Sequence, residues 1–320
     1  MCSEMLKSGQ YVDLSVIVPV FNEVDSVQEL AAELTKVLSA HKWQYELLLI
    51  DDGSTDGTFP LLEKLHQNDH HIRVIQFRRN FGKSEALSAG FSVARGQLII
   101  TMDGDLQDDP AEIPSLVTKL NEGYDLVSGW KKCRKDPLSK RFPSKVWNRM
   151  TSLMTGLRLH DFNCGIKIYR HEVVKSIHVY GELHRYIPAL AKWEGYRVGE
   201  MVVNHRPRKF GQSKYGVSRF FKGFLDLITV MFLSRYTRRP LHLFGMWGLL
   251  FGIAGTGITL TLIVLRITKA IYLSNRPILF IGILFLIIGM QLFSIGLLGE
   301  MITRSQSKGR GYAIRRFLGE

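Results

Sequence analysis

Residues 97–107 read Gln97-Leu-Ile-Ile-Thr-Met-Asp-Gly-Asp-Leu-Gln107, an apolar run followed directly by two carboxylates and an amide. Because side chains two residues apart leave the same face of an extended segment, Asp103, Asp105 and Gln107 are expected to point together. Oxygen ligands of this kind suit Mg²⁺ or Mn²⁺, which keep open positions for substrate phosphates. The segment predicts a metal site for a diphosphate; an acidic turn without a ligand is the alternative.

The chain has 320 residues and a formal net charge of +13. A balance this basic indicates a polyanionic partner, such as nucleic acid, an anionic membrane face or phosphorylated substrates. The three cysteines are scattered and lack C-x-x-C spacing. This argues against a disulfide scaffold or a zinc site and favours a reducing compartment.

Short apolar runs alternate with amphipathic stretches from Leu14 to about Gly129. This rhythm predicts an α/β fold, with a mostly parallel sheet covered by helices on both faces. The predicted strands and helices alternate as Leu14–Val18, Asp25–Ala40, Tyr45–Ile50, Phe59–Leu65, Ile72–Phe77, Ser84–Ala94 and Leu98–Met102. Ligands of such sheets bind at the carboxyl ends of the strands.

Polar clusters follow the predicted strands. The turn after the first strand is Pro19-Val-Phe-Asn-Glu23, where a dinucleotide fold would need G-x-G-x-x-G, so a nicotinamide or flavin dehydrogenase is disfavoured. Asp51-Asp-Gly-Ser54 follows the second strand. Its carboxylates could accept hydrogen bonds from a base or a ribose, or could serve a simple turn.

The C-terminal third differs from the rest. Leu241–Leu265 and Pro277–Gly299 carry no charge over lengths that span a bilayer. The outer flanks of the pair are richer in arginine and lysine than the short connector. The positive-inside rule therefore predicts a multi-pass protein of the inner (plasma) membrane, with its large N-terminal domain on the cytoplasmic face.

This organisation predicts four segments. They are a cytoplasmic domain over 1–216, an amphipathic interfacial helix over 217–238, a two-helix transmembrane hairpin over 239–302 and a basic cytoplasmic tail over 303–320. Glycines recur in both spans, which predicts close helix–helix contact. The spacing leaves open whether that contact joins two spans of one chain or builds a homo-oligomer.

The ordered set of polar motifs resembles the inverting GT-A glycosyltransferases. The motifs are Pro19-Val-Phe-Asn-Glu23, Asp51-Asp-Gly-Ser54, Asn80-Phe-Gly-Lys83 and Asp103-Gly-Asp-Leu-Gln107. Two later motifs followed by two spans narrow the resemblance to the polyprenyl-phosphate glycosyltransferases, the group that contains dolichyl-phosphate mannose synthase; they are Asp161-Phe-Asn-Cys-Gly165 and His205-Arg-Pro-Arg…Gly211-Gln-Ser-Lys-Tyr-Gly216.

The resemblance implies a nucleotide sugar donor, a polyprenyl phosphate acceptor and a divalent metal, Mg²⁺ or Mn²⁺. It implies that the nucleotide sugar contacts Pro19, Glu23, Asp51, Asp52, Lys83 and Asp103. It assigns the metal to Asp103, Asp105 and Gln107, and catalytic roles to Asp105 and Asp161. The Gln-x-x-Arg-Trp motif of processive polysaccharide synthases is absent from the sequence, so a single transfer is expected.

The chemistry of the acceptor agrees with this. A phosphate monoester has a second pKa of about 6 and needs little deprotonation at neutral pH, so positioning and charge compensation matter more. A basic cradle near the membrane is therefore predicted, and the sequence offers two: one formed by Arg141, Ser144 and Lys145, the other by Arg206, Arg208 and Lys214. A solvated basic face, or attraction to anionic lipids, is the alternative. Asp161 is the candidate base or acceptor-orienting carboxylate.

The sequence thus predicts transfer of one hexose to a polyprenyl phosphate, with uridine diphosphate glucose the favoured donor. The alternatives are a guanosine diphosphate mannose-dependent enzyme and a catalytically silent membrane adaptor with the same fold. A nucleic-acid partner is not expected, because no recognised nucleic-acid-binding motif occurs in the sequence.

Overall fold

The structure is a computed structural model that describes residues 12–132, 148–152, 155–177, 179, 181, 183–207, 240–269 and 277–306. The chain divides into two compact units, Met1–Leu227 and Ile228–Glu320. Several predictions lie outside the described residues: those for the interfacial helix 217–238 and for Arg141, Ser144, Lys145, Arg208 and Lys214.

The described part of the first unit contains seven strands and the helices between them. The strands are β1 (Leu14–Val20), β2 (Tyr45–Asp51), β3 (Ile72–Gln76), β4 (Leu98–Thr101), β5 (Leu126–Trp130), β6 (Lys167–Arg170) and β7 (Val198–Val202). The helices are α1 (Val27–Ala40), α2 (Thr58–Asn68), α3 (Lys83–Val93), α4 (Ile113–Asn121), α5 (His171–Ser176) and α6 (Ile187–Trp193), with 3₁₀ turns at Pro110–Glu112 and Leu183–Arg185.

The strands form one sheet in the order β3-β2-β1-β4-β6-β5-β7. The four strands from β3 to β4 are parallel, and β5 and β7 are parallel to each other. Only β6 runs antiparallel to both of its neighbours among these strands. The prediction of a mostly parallel α/β sheet is confirmed, and the carboxyl ends of β1 to β4 meet at one edge.

The antiparallel strand β6 brings a later segment to this same edge. Its first residue, Lys167, pairs with Thr101, the last residue of β4. The residues just before Lys167 therefore lie beside the residues just after Thr101. This register places Asp161–Gly165 next to the carboxylates that follow β4.

Apolar side chains on both faces hold the sheet in place. All seven residues of β2 are buried, as expected for a central parallel strand covered on both sides. Helix α1 contributes a buried stripe at helical spacing: Val27, Leu30, Ala31, Leu34 and Leu38. Burying each large apolar side chain contributes roughly 1.5–3 kcal/mol relative to leaving it exposed. This core fixes the strand ends that carry the polar loops.

The second unit contains two helices of 30 residues each, α7 (Pro240–Lys269) and α8 (Pro277–Gln306). Spans within them are long and apolar enough to cross a membrane, with mean hydropathy of 2.1 over Pro240–Thr268 and 2.6 over Pro277–Ile302. Most large apolar side chains along both spans are exposed, unlike those of a soluble core helix. This pattern suits a lipid environment.

Glycines hold α7 and α8 in close contact. A Cβ built on Gly289 would lie 2.8 Å from the carbonyl oxygen of Gly248, and one on Gly255 would lie 2.7 Å from that of Gly282. Glycines of the two repeats therefore lie in the contact between two helices of one chain. Oligomerisation remains an untested prediction.

Replacing Gly289 by leucine should separate the two helices. The added side chain meets backbone atoms of α7, and overpacking of this kind costs about 1–3 kcal/mol. Gly257→Leu is the matched control, because no atom lies within 4 Å of a Cβ at that position. The free energy of unfolding of the full chain, measured by SDS titration in mixed micelles with circular dichroism, should fall only for Gly289→Leu. Equal loss in both variants would contradict this packing.

Candidate active site

The carboxylate segment after β4 is a turn rather than an extended strand end. Strand β4 ends at Thr101, and Leu106 has a φ of 61°, in the left-handed region. The expectation of an extended backbone was wrong, because this residue reverses the chain locally. Burial nevertheless alternates: Asp103, Asp105 and Gln107 are partly exposed, and the residues between them are buried. All three oxygen-bearing side chains are therefore partly accessible to solvent, and their predicted convergence on one metal ion stays a prediction.

Asp103 is paired with Lys83, the first residue of α3. Burial alone would raise the pKa of the Asp103 carboxyl, but the ammonium groups of Lys83 and Lys131 hold it well below its usual range. Asp103 is therefore ionised at neutral pH. The Asp105 carboxylate accepts the backbone N–H of Gln107 at 3.2 Å, which stabilises the turn.

A second carboxylate, which sequence reasoning missed, lies beside the first. Asp108 is buried and pairs with Lys131 at 2.8 Å. A Cβ built on Gly165 would lie 2.5 Å from both Asp103 Cγ and Asp108 Oδ2. Both carboxylates therefore pack against the Cα of Gly165, and only glycine leaves room for them.

Asp161 is fully buried and lies shortly before Gly165 in the sequence. Its carboxylate accepts the backbone N–H of Asn163 at 3.0 Å, and its own N–H donates to Glu200 at 3.0 Å. The Thr101 hydroxyl donates to the carbonyl of Gly165 at 3.1 Å, which anchors the end of the segment to β4. The Asp161–Gly165 segment and the Asp103–Gln107 turn thus meet, whereas the base role of Asp161 and the metal role of the turn stay predictions.

The loop after β1 contacts the Asp103–Gln107 turn. The Ser26 hydroxyl oxygen lies 2.8 Å from the carbonyl oxygen of Gly104 and 2.7 Å from Glu23 Oε2. A Cβ on Gly104 would lie 3.4 Å from the carbonyl oxygen of Pro19. The structure therefore brings the predicted residues Pro19 and Glu23 to the side of the Asp103–Gln107 turn.

The two predicted nucleoside carboxylates differ in their surroundings. Asp52 accepts the backbone N–H groups of Phe81 and Gly82, at 2.7 and 2.9 Å. Burial raises the pKa of the Asp52 carboxyl, and these two backbone donors oppose the rise. Both oxygens of Asp52 thus hold the loop before α3, so its expected contact with the nucleoside would compete with this structural role.

Asp51 is better placed to meet a ligand. It is fully buried at the end of β2, and its Oδ1 accepts the backbone N–H of Ser54 at 3.0 Å. Its Oδ2 is buried without a hydrogen-bond partner in the part of the chain that the structure describes. A buried carboxylate oxygen of this kind is costly to leave unmatched, which favours a ligand donor such as a base N–H or a ribose hydroxyl.

Arg206 already has two carboxylate partners. Its guanidinium donates to Glu33 at 2.7 Å and to Asp109 at 2.8 Å, and its backbone N–H donates to the carbonyl of Gln107 at 3.0 Å. A phosphate would have to displace one of these carboxylates. These contacts indicate that Arg206 joins the chain after the Asp103–Gln107 turn to α1. The sequence had suggested a place in the phosphate cradle instead.

A pocket beside Asp103 is lined by Lys83, which belongs to a predicted motif, and by three basic residues that no sequence motif identified. Lys83, Lys167, His184 and Arg185 line it, together with the neutral side chain of Asn163. Burial, followed by the charges of the neighbouring cations, lowers the pKa of His184 well below its usual value, so its imidazole is neutral. Lys167 and His184 belong to separate elements and share no local spacing, so only the fold reveals the pocket.

The residues after β4 fit a hard divalent cation. Asp103 is ionised, and Asp105 and Gln107 add two more oxygen-bearing side chains in the same turn. The nearby Cys164 is a poor competing ligand, because burial raises the pKa of its thiol to about 12. Lys83 shares the Asp103 carboxylate, so a bound metal and this ammonium would act on one anionic group.

Another cluster with ligand atoms lies elsewhere on the surface. In the described part of the chain, three imidazole or carboxylate ligands approach within 4.8 Å of one another only at Asp69, His70 and His71. The Asp69 carboxylate already accepts both the backbone and the ring N–H of His71, at 2.9 and 2.8 Å. These hydrogen bonds hold the three residues together in the loop that precedes β3, which accounts for the cluster.

The sheet and the arrangement of its loops are those of the GT-A fold, and solved structures agree. The mannosyl-3-phosphoglycerate synthase of Rubrobacter xylanophilus is similar over 69% of this chain and 74% of its own, with a TM-score of 0.57 and 16% identity. The glucosyl-3-phosphoglycerate synthase of Mycobacterium tuberculosis, crystallised with Mn²⁺ and uridine diphosphate glucose, is similar over 70% and 79%, with a TM-score of 0.53 and 18% identity.

Sequence comparison gives the family. Residues 15–177 match the family described as glycosyl transferase family 2. The chain is 42% identical over 301 residues to the dodecaprenyl-phosphate galacturonate synthase of Rhizobium johnstonii, covering 92% of this chain and 89% of that protein. The chain belongs to glycosyl transferase family 2.

Replacing Gly165 by alanine should disable the site without unfolding the protein. The new Cβ would displace the carboxylates of Asp103 and Asp108, and a misplacement of about 1 Å can cost on the order of 100-fold in rate. Gly195→Ala is the control, since it strains a left-handed turn but meets no atom within 4 Å. Transfer of labelled sugar should fall only in Gly165→Ala, with similar melting temperatures for both variants. Full activity in Gly165→Ala would refute the packing argument.

Proposed function

We propose that the protein transfers a single sugar from a nucleotide diphosphate sugar to a polyprenyl phosphate, with inversion at the anomeric carbon. The observation that carries the proposal is the meeting of three loops at one sheet edge: the Asp103–Gln107 turn, the Asp161–Gly165 segment and the loop after β1. The acceptor is supported by the relative that is named a dodecaprenyl-phosphate galacturonate synthase.

Asp103, Asp105 and Gln107 would hold Mg²⁺ or Mn²⁺. The glucosyl-3-phosphoglycerate synthase of the same fold was crystallised with Mn²⁺, which supports this assignment. When bound, such an ion neutralises charge that develops on the departing diphosphate. Lys83 keeps Asp103 ionised and adds a second positive charge at the same position.

The remaining roles follow from the surroundings of each side chain. The buried Oδ2 of Asp51 would accept a hydrogen bond from the base or the ribose. An acceptor phosphate oxygen would form the bond to the anomeric carbon as the bond to the diphosphate breaks. Because a phosphate monoester is largely dianionic above its second pKa of about 6, Asp161 would orient the acceptor more than remove a proton.

The acceptor cradle is proposed from residues that the structure does not describe. Arg141, Ser144, Lys145, Arg208 and Lys214 supply charge-assisted donors of the kind that bind phosphate. The two apolar spans would anchor the protein in the plasma membrane. The charged flanks favour a cytoplasmic face for the catalytic domain.

The donor sugar requires a choice. The sequence favoured uridine diphosphate glucose, with guanosine diphosphate mannose as the alternative. The related synthase is named for galacturonate, which favours neither of these neutral hexoses. The base stays proposed as uridine, and the sugar is argued separately below.

A panel of labelled donors tests the proposal directly. Membranes that contain the full chain would be incubated with radiolabelled uridine and guanosine diphosphate sugars, with and without added polyprenyl phosphate. Label should enter the organic phase from one donor, and only with the lipid. Absence of lipid-linked label from every donor would favour the silent adaptor, and retention of DNA or RNA at raised salt would favour a nucleic-acid function.

Substitutions should separate metal holding from acceptor orientation. Asp103→Ala and Asp105→Ala should abolish transfer, because they remove oxygen ligands. Asp161→Asn should retain measurable turnover, because the attacking phosphate needs little deprotonation. Asp25→Ala, at an exposed carboxylate outside the site, is the control. The measurement is the initial rate of label extraction at saturating donor. Complete loss in Asp161→Asn would assign that residue the base role.

A further inference from the structure

The pocket beside Asp103 contains more positive than negative side chains. Lys83, Lys167 and Arg185 line it, and none of the residues that line it in the described part of the chain is acidic. Lys83 is compensated by Asp103. Lys167 and Arg185 add two further positively charged side chains to its lining.

Lys167 is the most informative of these residues. It is the first residue of β6, a strand with neighbours on both sides, and only 4% of its surface is exposed. Its ammonium donates to the backbone carbonyl of Cys164. Within the described residues no carboxylate lies within 4.0 Å of it. A buried ammonium with three donors and one neutral partner is costly unless an anion joins it.

The electrostatics of the pocket agree with this need. Burial lowers the pKa of Lys167, and burial together with the charges of Lys83, Arg185 and Lys167 depresses that of His184. Several positively charged side chains therefore act on one another in this partly enclosed space, with Asp103 as a nearby opposite charge. A neutral sugar gains little from these positive charges, whereas an anionic group gains strongly.

The position of the pocket connects it to the donor. Lys83 both lines the pocket and contacts Asp103, which the proposed function assigns to the metal and the diphosphate. A sugar bonded to a diphosphate held there would lie close to the pocket, because Lys83 links the two. Asn163 and Thr101 add neutral polar groups that suit sugar hydroxyls.

We propose, on the basis of the function proposed above, that Lys167 and Arg185 bind the carboxylate of an acidic donor sugar, a hexuronate, and thereby select it over neutral hexoses. The planar guanidinium of Arg185 suits a two-oxygen anion, and the buried ammonium of Lys167 supplies a point charge. The name of the related galacturonate synthase agrees with this class of sugar.

The test compares two donors that differ only at C6. Uridine diphosphate galacturonate carries a carboxylate there, and uridine diphosphate galactose carries a hydroxymethyl group. With the full chain in detergent and a polyprenyl phosphate acceptor, the wild type should prefer the galacturonate donor. Lys167→Met, which keeps the side-chain length, should lower kcat/KM for that donor by about 10- to 100-fold and leave the rate with the galactose donor within about threefold.

Three further variants guard against a folding defect. Arg185→Lys keeps a charge but loses the planar fork, so it should lose less activity with the galacturonate donor than Arg185→Gln. Lys192→Met removes an exposed lysine of α6 outside the pocket and should change neither donor. The melting temperature of each variant would be recorded.

The outcomes separate this inference from the proposed function. If Lys167→Met slows both donors equally, the pocket binds a shared anion such as the acceptor phosphate, and the inference is overturned while the function stands. If no donor yields a lipid product, calorimetry with each nucleotide sugar still decides. Tighter binding of the galacturonate donor that Lys167→Met removes supports the inference, and equal binding of both donors rejects it.

Discussion

The pairing of Thr101 with Lys167 is the constraint on which the site depends. This register inserts one antiparallel strand into a sheet whose first four strands are parallel, so a segment from late in the chain ends beside the end of β4. Gly165 then lies against the carboxylates of Asp103 and Asp108. A shift of the register by one residue would reverse the faces of β6 and move Lys167 out of the pocket.

The charges at this edge of the sheet orient the side chains of the site more than they stabilise the fold. Buried ion pairs add little net stability, because desolvation offsets most of their attraction. Here Lys83 pairs with Asp103 and Lys131 pairs with Asp108, while the buried Lys167 has, among the described residues, a backbone carbonyl as its hydrogen-bond partner. The two pairs fix the direction of both carboxylates, Lys83 helps to keep Asp103 ionised, and the third lysine adds a positive charge beside them. Such an arrangement favours the binding of an anionic substrate more than it favours the stability of the fold.

Much of the site could be predicted from the sequence, and what could not has a physical reason. The periodicity of the strands predicted that their carboxyl ends lie at one edge of the sheet. The proximity of Glu23 to the Asp103–Gln107 turn could therefore be predicted. The turn itself was predicted to be extended, because a leucine in the sequence does not indicate a φ in the left-handed region such as that of Leu106. Neither Lys131 nor Lys167 lies in a motif, and each reaches the site only through tertiary register. Arg206 looked like a phosphate ligand because sequence cannot show its contacts with Glu33 and Asp109.

We propose that oxygen ligands after β4 hold a cation against the donor diphosphate. Electron paramagnetic resonance of Mn²⁺, titrated into the full chain with and without uridine diphosphate, measures this binding without requiring turnover. We expect one bound ion per chain, held at least tenfold more tightly when the nucleotide is present, and loss of that ion in Asp103→Asn. Unchanged Mn²⁺ binding in Asp103→Asn, or no effect of the nucleotide, would contradict it.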